Sequence, residues 1–95
     1  MKNFPEGVPK PSGPINMVPK GSVYDALRDA ANKINTKLNR AFGLGSADIE
    51  VHEINPVKFG GSPTDLANKV ALRDTLHSKA TSWFRKLQGL IEKDN

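Results

Sequence analysis

The sequence predicts a small α+β domain, and three patterns predict it: apolar residues at helical spacing before residue 43, a two-residue alternation around residue 50, and a return to helical spacing after residue 73. The opening stretch, "MKNFPEGVPKPSGPINMVPKGS", holds five of the seven prolines and three glycines. Proline locks φ and removes a backbone donor, so neither a helix nor a central strand can run there, and residues 1–21 read as a flexible linker. In "SVYDALRDAANKINTKLNRAFG", Leu27, Ala31, Ile34, Leu38 and Phe42 recur at three- and four-residue steps and form one apolar stripe on an amphipathic helix. Ser22 is suited to cap its first turn, Asp25 sits near the positive end of the helix dipole, and Gly43 can supply a left-handed stop. The polar face, with Arg28, Lys33, Lys37 and Arg40, reads as a solvated surface.

After "GLGS", the run "ADIEVHEI" alternates Ile49, Val51 and Glu53 against Glu50, His52 and Ile54, the period of a strand. "PVKFGGSPTDLAN" carries too much Pro and Gly for regular structure and should fold as a loop. "KVAL" reads as a second strand, giving a hairpin with a long connection. "RDTLHSKATSWFRKLQGLIEKD" returns to helical spacing, with Leu76, Ala80, Trp83, Leu87 and Leu90 on one side. His77, Thr81 and Phe84 are close in angle on that helix, and Trp83, Phe84 and Leu87 read as core.

Composition limits the chemistry. At 95 residues with 37% hydrophobic content, the chain suits one domain with a modest core. Fourteen Lys and Arg against ten Asp and Glu leave a net charge of +4, which favours an anionic partner such as nucleic acid or an acidic protein. With no cysteine, disulfides and thiolate metal sites are excluded, so any metal must take His, carboxylate, hydroxyl or water as ligands. No stretch approaches the roughly 20 apolar residues of a membrane span.

One constellation stands out. His52, Glu53, Ile54, Pro56, Gly60, Gly61, Asn68 and His77 follow one another with His52 to Asn68 at 16 positions and His52 to His77 at 25. In this, the segment from Glu50 to Lys86 resembles the HNH nucleases, the ββα-metal or His-Me finger group, and most closely the toxin-module branch of the colicin-type DNases. The resemblance covers about 35 of the 95 residues. It implies a ββα-metal motif preceded by an amphipathic helix, with residues 22–95 as the nuclease domain. His52 and His77 would ligate one divalent ion, whether Zn, Ni, Mn or Mg. Glu53 would be the general base, with Glu50 as its support or outer-shell partner; in an alternative arrangement His52 itself is the base and Glu50 helps bind the metal. Asn68, with Gly60 and Gly61, would tie the loop. Two residues depart from the pattern: relatives carry His at the positions of Glu53 and Thr81, the latter being the third-ligand position.

The chemistry suits those residue types. A phosphodiester resists attack because its oxygens are negative, so cleavage needs a cation at the phosphate, an activated water and shielding of the leaving oxygen. Residue 53 lies on the opposite strand face from His52 and would need a twist or bulge to reach the same phosphate. Lys58, Lys69, Arg73, Lys79, Arg85 and Lys86 are candidates for backbone phosphates. The resemblance implies a DNA endonuclease of little sequence preference, exported as the C-terminal toxic module of a larger bacterial toxin and acting in the target-cell cytoplasm. An acidic immunity protein would be its partner. The alternatives are a non-catalytic module binding nucleic acid or protein on a degenerate HNH fold, and a purely helical interaction domain.

Overall fold

The computed structural model describes residues 2–93; Met1, Asp94 and Asn95, which fall within the expected linker and at the end of the expected domain, lie outside the described residues. Helix α1 spans Ser22–Phe42, strand β1 Ile49–Glu53, strand β2 Lys69–Arg73 and helix α2 Asp74–Lys93. The strands form one antiparallel pair, with Ile49 opposite Arg73, Val51 opposite Ala71, His52 opposite Val70 and Glu53 opposite Lys69. Side chains alternate across a strand, so Glu50, His52, Val70 and Leu72 share one face while Val51, Glu53, Lys69 and Ala71 share the other. The face with His52 meets α2, and the face with Glu53 is turned toward α1.

Helix α1 ends as its sequence suggests. Gly43 adopts the left-handed conformation at φ 60° and its N–H returns to the Asn39 carbonyl. Its start differs: Gly21 holds the cap position, no side chain caps the helix, and Ser22 is already the first helical residue, one step too late to cap. Ala31 is fully buried on the stripe, but Phe42 is 71% exposed, at the edge of a shallow apolar hollow that it lines with Leu38, Val51, Leu66 and Ala71. Leu90, near the end of α2, is also largely exposed.

The Pro-rich segment has no helix or strand among its described residues, yet it is not a free tether. Phe4 packs edge-on against Trp83 and Phe84, and Val8 is buried in one cluster with Leu72 and Ala80. The Trp83 indole N–H donates to the Lys2 carbonyl. Farther along, the Asn16 and Val18 N–H groups donate to the Phe59 and Lys58 carbonyls at 3.1 and 2.9 Å. Proline forbids regular pairing but not apolar burial, and the short domain recruits the segment to complete its core.

The connection between the strands folds around two single 3₁₀ turns, Val57–Phe59 and Leu66–Asn68. Val57 and Phe59 point inward and are buried, and Phe59 tilts against Phe84 of α2. Gly60 takes a left-handed φ of 91°. Gly61 is needed for space, since a Cβ there would overlap the Asn55 carbonyl.

Candidate active site

Asn68 fixes the loop from its centre. Its side-chain oxygen accepts the Asn55 N–H at 2.8 Å, and its amide nitrogen donates to the Asn55 and Ser62 carbonyls, each at 2.9 Å. Its own carbonyl accepts the Ile54 N–H. One buried side chain thus satisfies backbone groups on both sides of the loop and sets how the end of β1 is presented.

At that end, His52 is 4% exposed and its ring lies edge-on to His77 of α2, with centroids 5.4 Å apart and planes at 70°. His52 Nε2 is buried and, among the described residues, has no hydrogen-bond partner, an orphan that ordinarily costs stability. Burial, reinforced by the neighbouring His77 and only partly opposed by Glu53, lowers the His52 pKa to about 4. Its imidazole is therefore neutral at pH 7, with a lone pair available. His77 Nδ1 lies 2.8 Å from Glu50 Oε2 on the same sheet face. With the proton on Nδ1, that carboxylate orients the ring and leaves the Nε2 lone pair free, an arrangement common behind metal-ligating histidines.

Glu53 faces the other way. Its Oε1 accepts from Arg28 Nη2 at 2.9 Å, and its Oε2 accepts from Asn35 Nδ2 at 3.1 Å and lies 3.4 Å from Lys69 Nζ. Burial pushes the Glu53 carboxyl up, but Arg28, the Asn35 amide and Lys69 together outweigh it and hold the group below the usual carboxylate range. Both oxygens are engaged, so the carboxylate is a weaker proton acceptor than an ordinary glutamate. β1 keeps its regular register through Glu53, so no bulge turns that residue toward the face of His52.

Both faces open into a single cleft of about 440 Å³, because β1 ends there between the two helices. His52, His77, Glu53 and Thr81 line it, as do Arg28 and Asn35 from α1, Lys58 from the loop, and Arg85 from α2. Lys58 also holds its ammonium 4.9 Å from the Tyr24 ring centroid.

The other basic candidates are distributed elsewhere. Lys69 has a side chain only 4% exposed and is spent on Glu53 and on Asn35 Oδ1, so it does not meet a phosphate at the surface. Arg73 pairs with Ile49 at the far end of the hairpin. Lys79 and Lys86 flank a second hollow, between the N-terminal segment and Trp83. Arg28 and Asn35 are the residues that sequence reasoning assigned to solvent or passed over. Their seven-residue spacing, two helical turns, was a weak signal that both share one face.

For one divalent ion, the donor set supplies two imidazole nitrogens, one of them buried and otherwise unpartnered, which fits a transition ion with its remaining positions open to water or phosphate oxygen. Among the described residues, no three His, Cys, Asp or Glu side chains group closely enough to hold a metal between them, and Thr81 lines the same cleft as the two histidines. Comparison with protein-family models, curated proteins and solved structures finds no match in any of the three. No helix among the described residues is long and apolar enough to cross a membrane.

Proposed function

We propose that this chain is a metal-dependent endonuclease of the HNH type that hydrolyses DNA phosphodiester bonds with little sequence preference. The observation that carries the reading is the pair of neighbouring imidazoles, His52 and His77, 25 residues apart in sequence and side by side in a basic cleft. His52 and His77 would hold one divalent ion, and Glu50 would orient His77 through Nδ1. When bound, the ion would polarise the phosphate and lower the pKa of a water. The His52 side chain, neutral at pH 7, is ready to donate its lone pair without first losing a proton. Thr81 contributes a hydroxyl where relatives carry a third imidazole, so the protein supplies fewer strong donors and metal affinity should be modest.

In this reading the domain is the C-terminal toxic module of a larger exported bacterial toxin, acting in the target-cell cytoplasm, and an acidic immunity protein covers its basic surface. The net charge of +4 supports both partners, DNA and an acidic inhibitor. A second reading, a non-catalytic binding module on a degenerate HNH fold, is favoured by one observation: Glu53, at the general-base position, has both oxygens tied to cations and an amide.

Plasmid nicking separates the two. Purified protein with Mg, Mn, Ni or Zn is expected to relax supercoiled plasmid, EDTA to stop it, and His77→Ala to lower the rate by at least about 10²-fold by removing a ligand. Intact plasmid with every metal, alongside retained DNA binding, would replace the nuclease with the binding module.

A further inference from the structure

We infer that Arg28, Lys58 and Arg85 form a phosphate-binding subsite in the cleft, for the backbone of a nucleic-acid strand, and that Glu53 is the anchor holding Arg28 in place. The inference rests on reading the cleft as a phosphodiester site, and it adds Arg28, which lies outside the HNH-like segment from Glu50 to Lys86.

Charge sets the cleft apart. Glu53 is the only carboxylate lining it among the described residues, and two cations, Arg28 and Lys69, already face its single negative charge. Lys58 and Arg85 open into the same space, and among the described residues neither has a carboxylate within ion-pair distance. The cleft therefore carries an uncompensated positive charge with low-dielectric walls from Pro56, Phe59 and Phe84, which concentrates its attraction for anions.

Geometry adds preorganisation. The Arg28 guanidinium is held from two sides: Nη2 donates to Glu53 Oε1 at 2.9 Å and Nε to Asn32 Oδ1 at 3.3 Å. Among the described residues Nη1 has no acceptor, and the side chain is still 34% exposed. A guanidinium fixed by a buried carboxylate has already lost its rotamer freedom, so binding an anion costs it little further ordering. The three cations come from α1, the inter-strand loop and α2, so only the folded chain brings them together. A free anion would also satisfy such a site, but three cations along one cleft match the spaced charges of a strand better than a single small ion.

The test is fluorescence anisotropy of a labelled duplex of about 20 base pairs in EDTA, so that no cleavage is involved, over a series of salt concentrations. Arg28→Ala, Lys58→Ala and Arg85→Ala are each expected to weaken binding about tenfold and to lower the slope of log K against log salt by about one. Arg40→Ala, exposed in the last turn of α1 outside the cleft, is the control and should change neither as much. Arg28→Ala leaves Glu53 with one cation, so folding is checked by circular dichroism. If it unfolds, the double variant Lys58→Ala/Arg85→Ala, in which no ion pair is broken, should lose about two units of slope. Inorganic phosphate at matched ionic strength should compete only weakly; full competition at low millimolar phosphate would reassign the cleft to a free anion and overturn the strand assignment. Slopes equal to the Arg40→Ala control would overturn the subsite. Because binding is read without metal, a chain that fails to nick plasmid can still pass this test, and a nicking chain can still fail it.

Discussion

In the proposed site, stability and metal binding would make opposite demands on His52. A buried imidazole with an unpartnered Nε2 weakens the isolated fold, yet the same atom, dry and neutral, is what a cation would seek. The strain has a measurable signature in acid. Above about pH 6.5 the residue is neutral in both folded and unfolded chains and contributes no pH dependence. As pH falls from about 6.5 toward 4, the unfolded chain takes up a proton that the folded one refuses, so stability drops through that window. The expected loss is up to about 3 kcal/mol, read from urea midpoints in EDTA at about pH 7.5 and 4.5, and His52→Gln should remove that portion of the slope. Glu53 acts in the same direction lower down: its depressed pKa gives stability present above its unfolded value and lost as pH falls through the folded one. That His52, Asn68 and His77 belong to one candidate site was legible only through the resemblance that their offsets carry. The bonds of Glu53 were not, because its partners Arg28 and Asn35 lie 25 and 18 residues away on a helix whose polar face offers no sign of which residues turn inward.

The elements themselves were nearly all readable, because hydrophobic period and stop residues act locally. The stretch expected as the first helix became Ser22–Phe42 with its stop at Gly43, and the short run "KVAL" became a strand extended by Arg73. The cap is the exception: Gly21 takes the place expected of Ser22, and its unusual φ of 148° starts the helix one residue earlier. The last helix contains an element-level weakness of its own. Gly89 lies inside α2 at an ordinary helical φ, with open space where a Cβ would be, so it brings flexibility to the unfolded chain and nothing to the folded one. Gly89→Ala should raise stability by about 0.5–1 kcal/mol, measured as a shift of the urea midpoint without change in slope. No such gain is open at Gly61, where the Asn55 carbonyl occupies the space.

At the scale of the whole molecule, principal extents of 41 × 31 × 19 Å leave room for little more than two layers, and few large side chains are fully withdrawn from water. Such a thin domain has few buried apolar groups, and Phe4 and Val8 from the Pro-rich start add to its core. Phe4→Ala should therefore cost about 2–3 kcal/mol by urea unfolding, and deleting residues 1–12 should cost more; an unchanged midpoint in both would return the segment to the status of a tether. The sequence by itself determined the two helices and the hairpin with its turn-rich connection, because periodicity and turn residues act over short spans. Only the tertiary structure decided what β1 meets on each side: His77 across from His52, and Arg28, Asn35 and Lys69 around Glu53. It also decided that a proline-rich opening becomes part of the core. Contacts between distant residues depend on how helix faces and sheet faces come together, and no local pattern in the chain encodes that meeting.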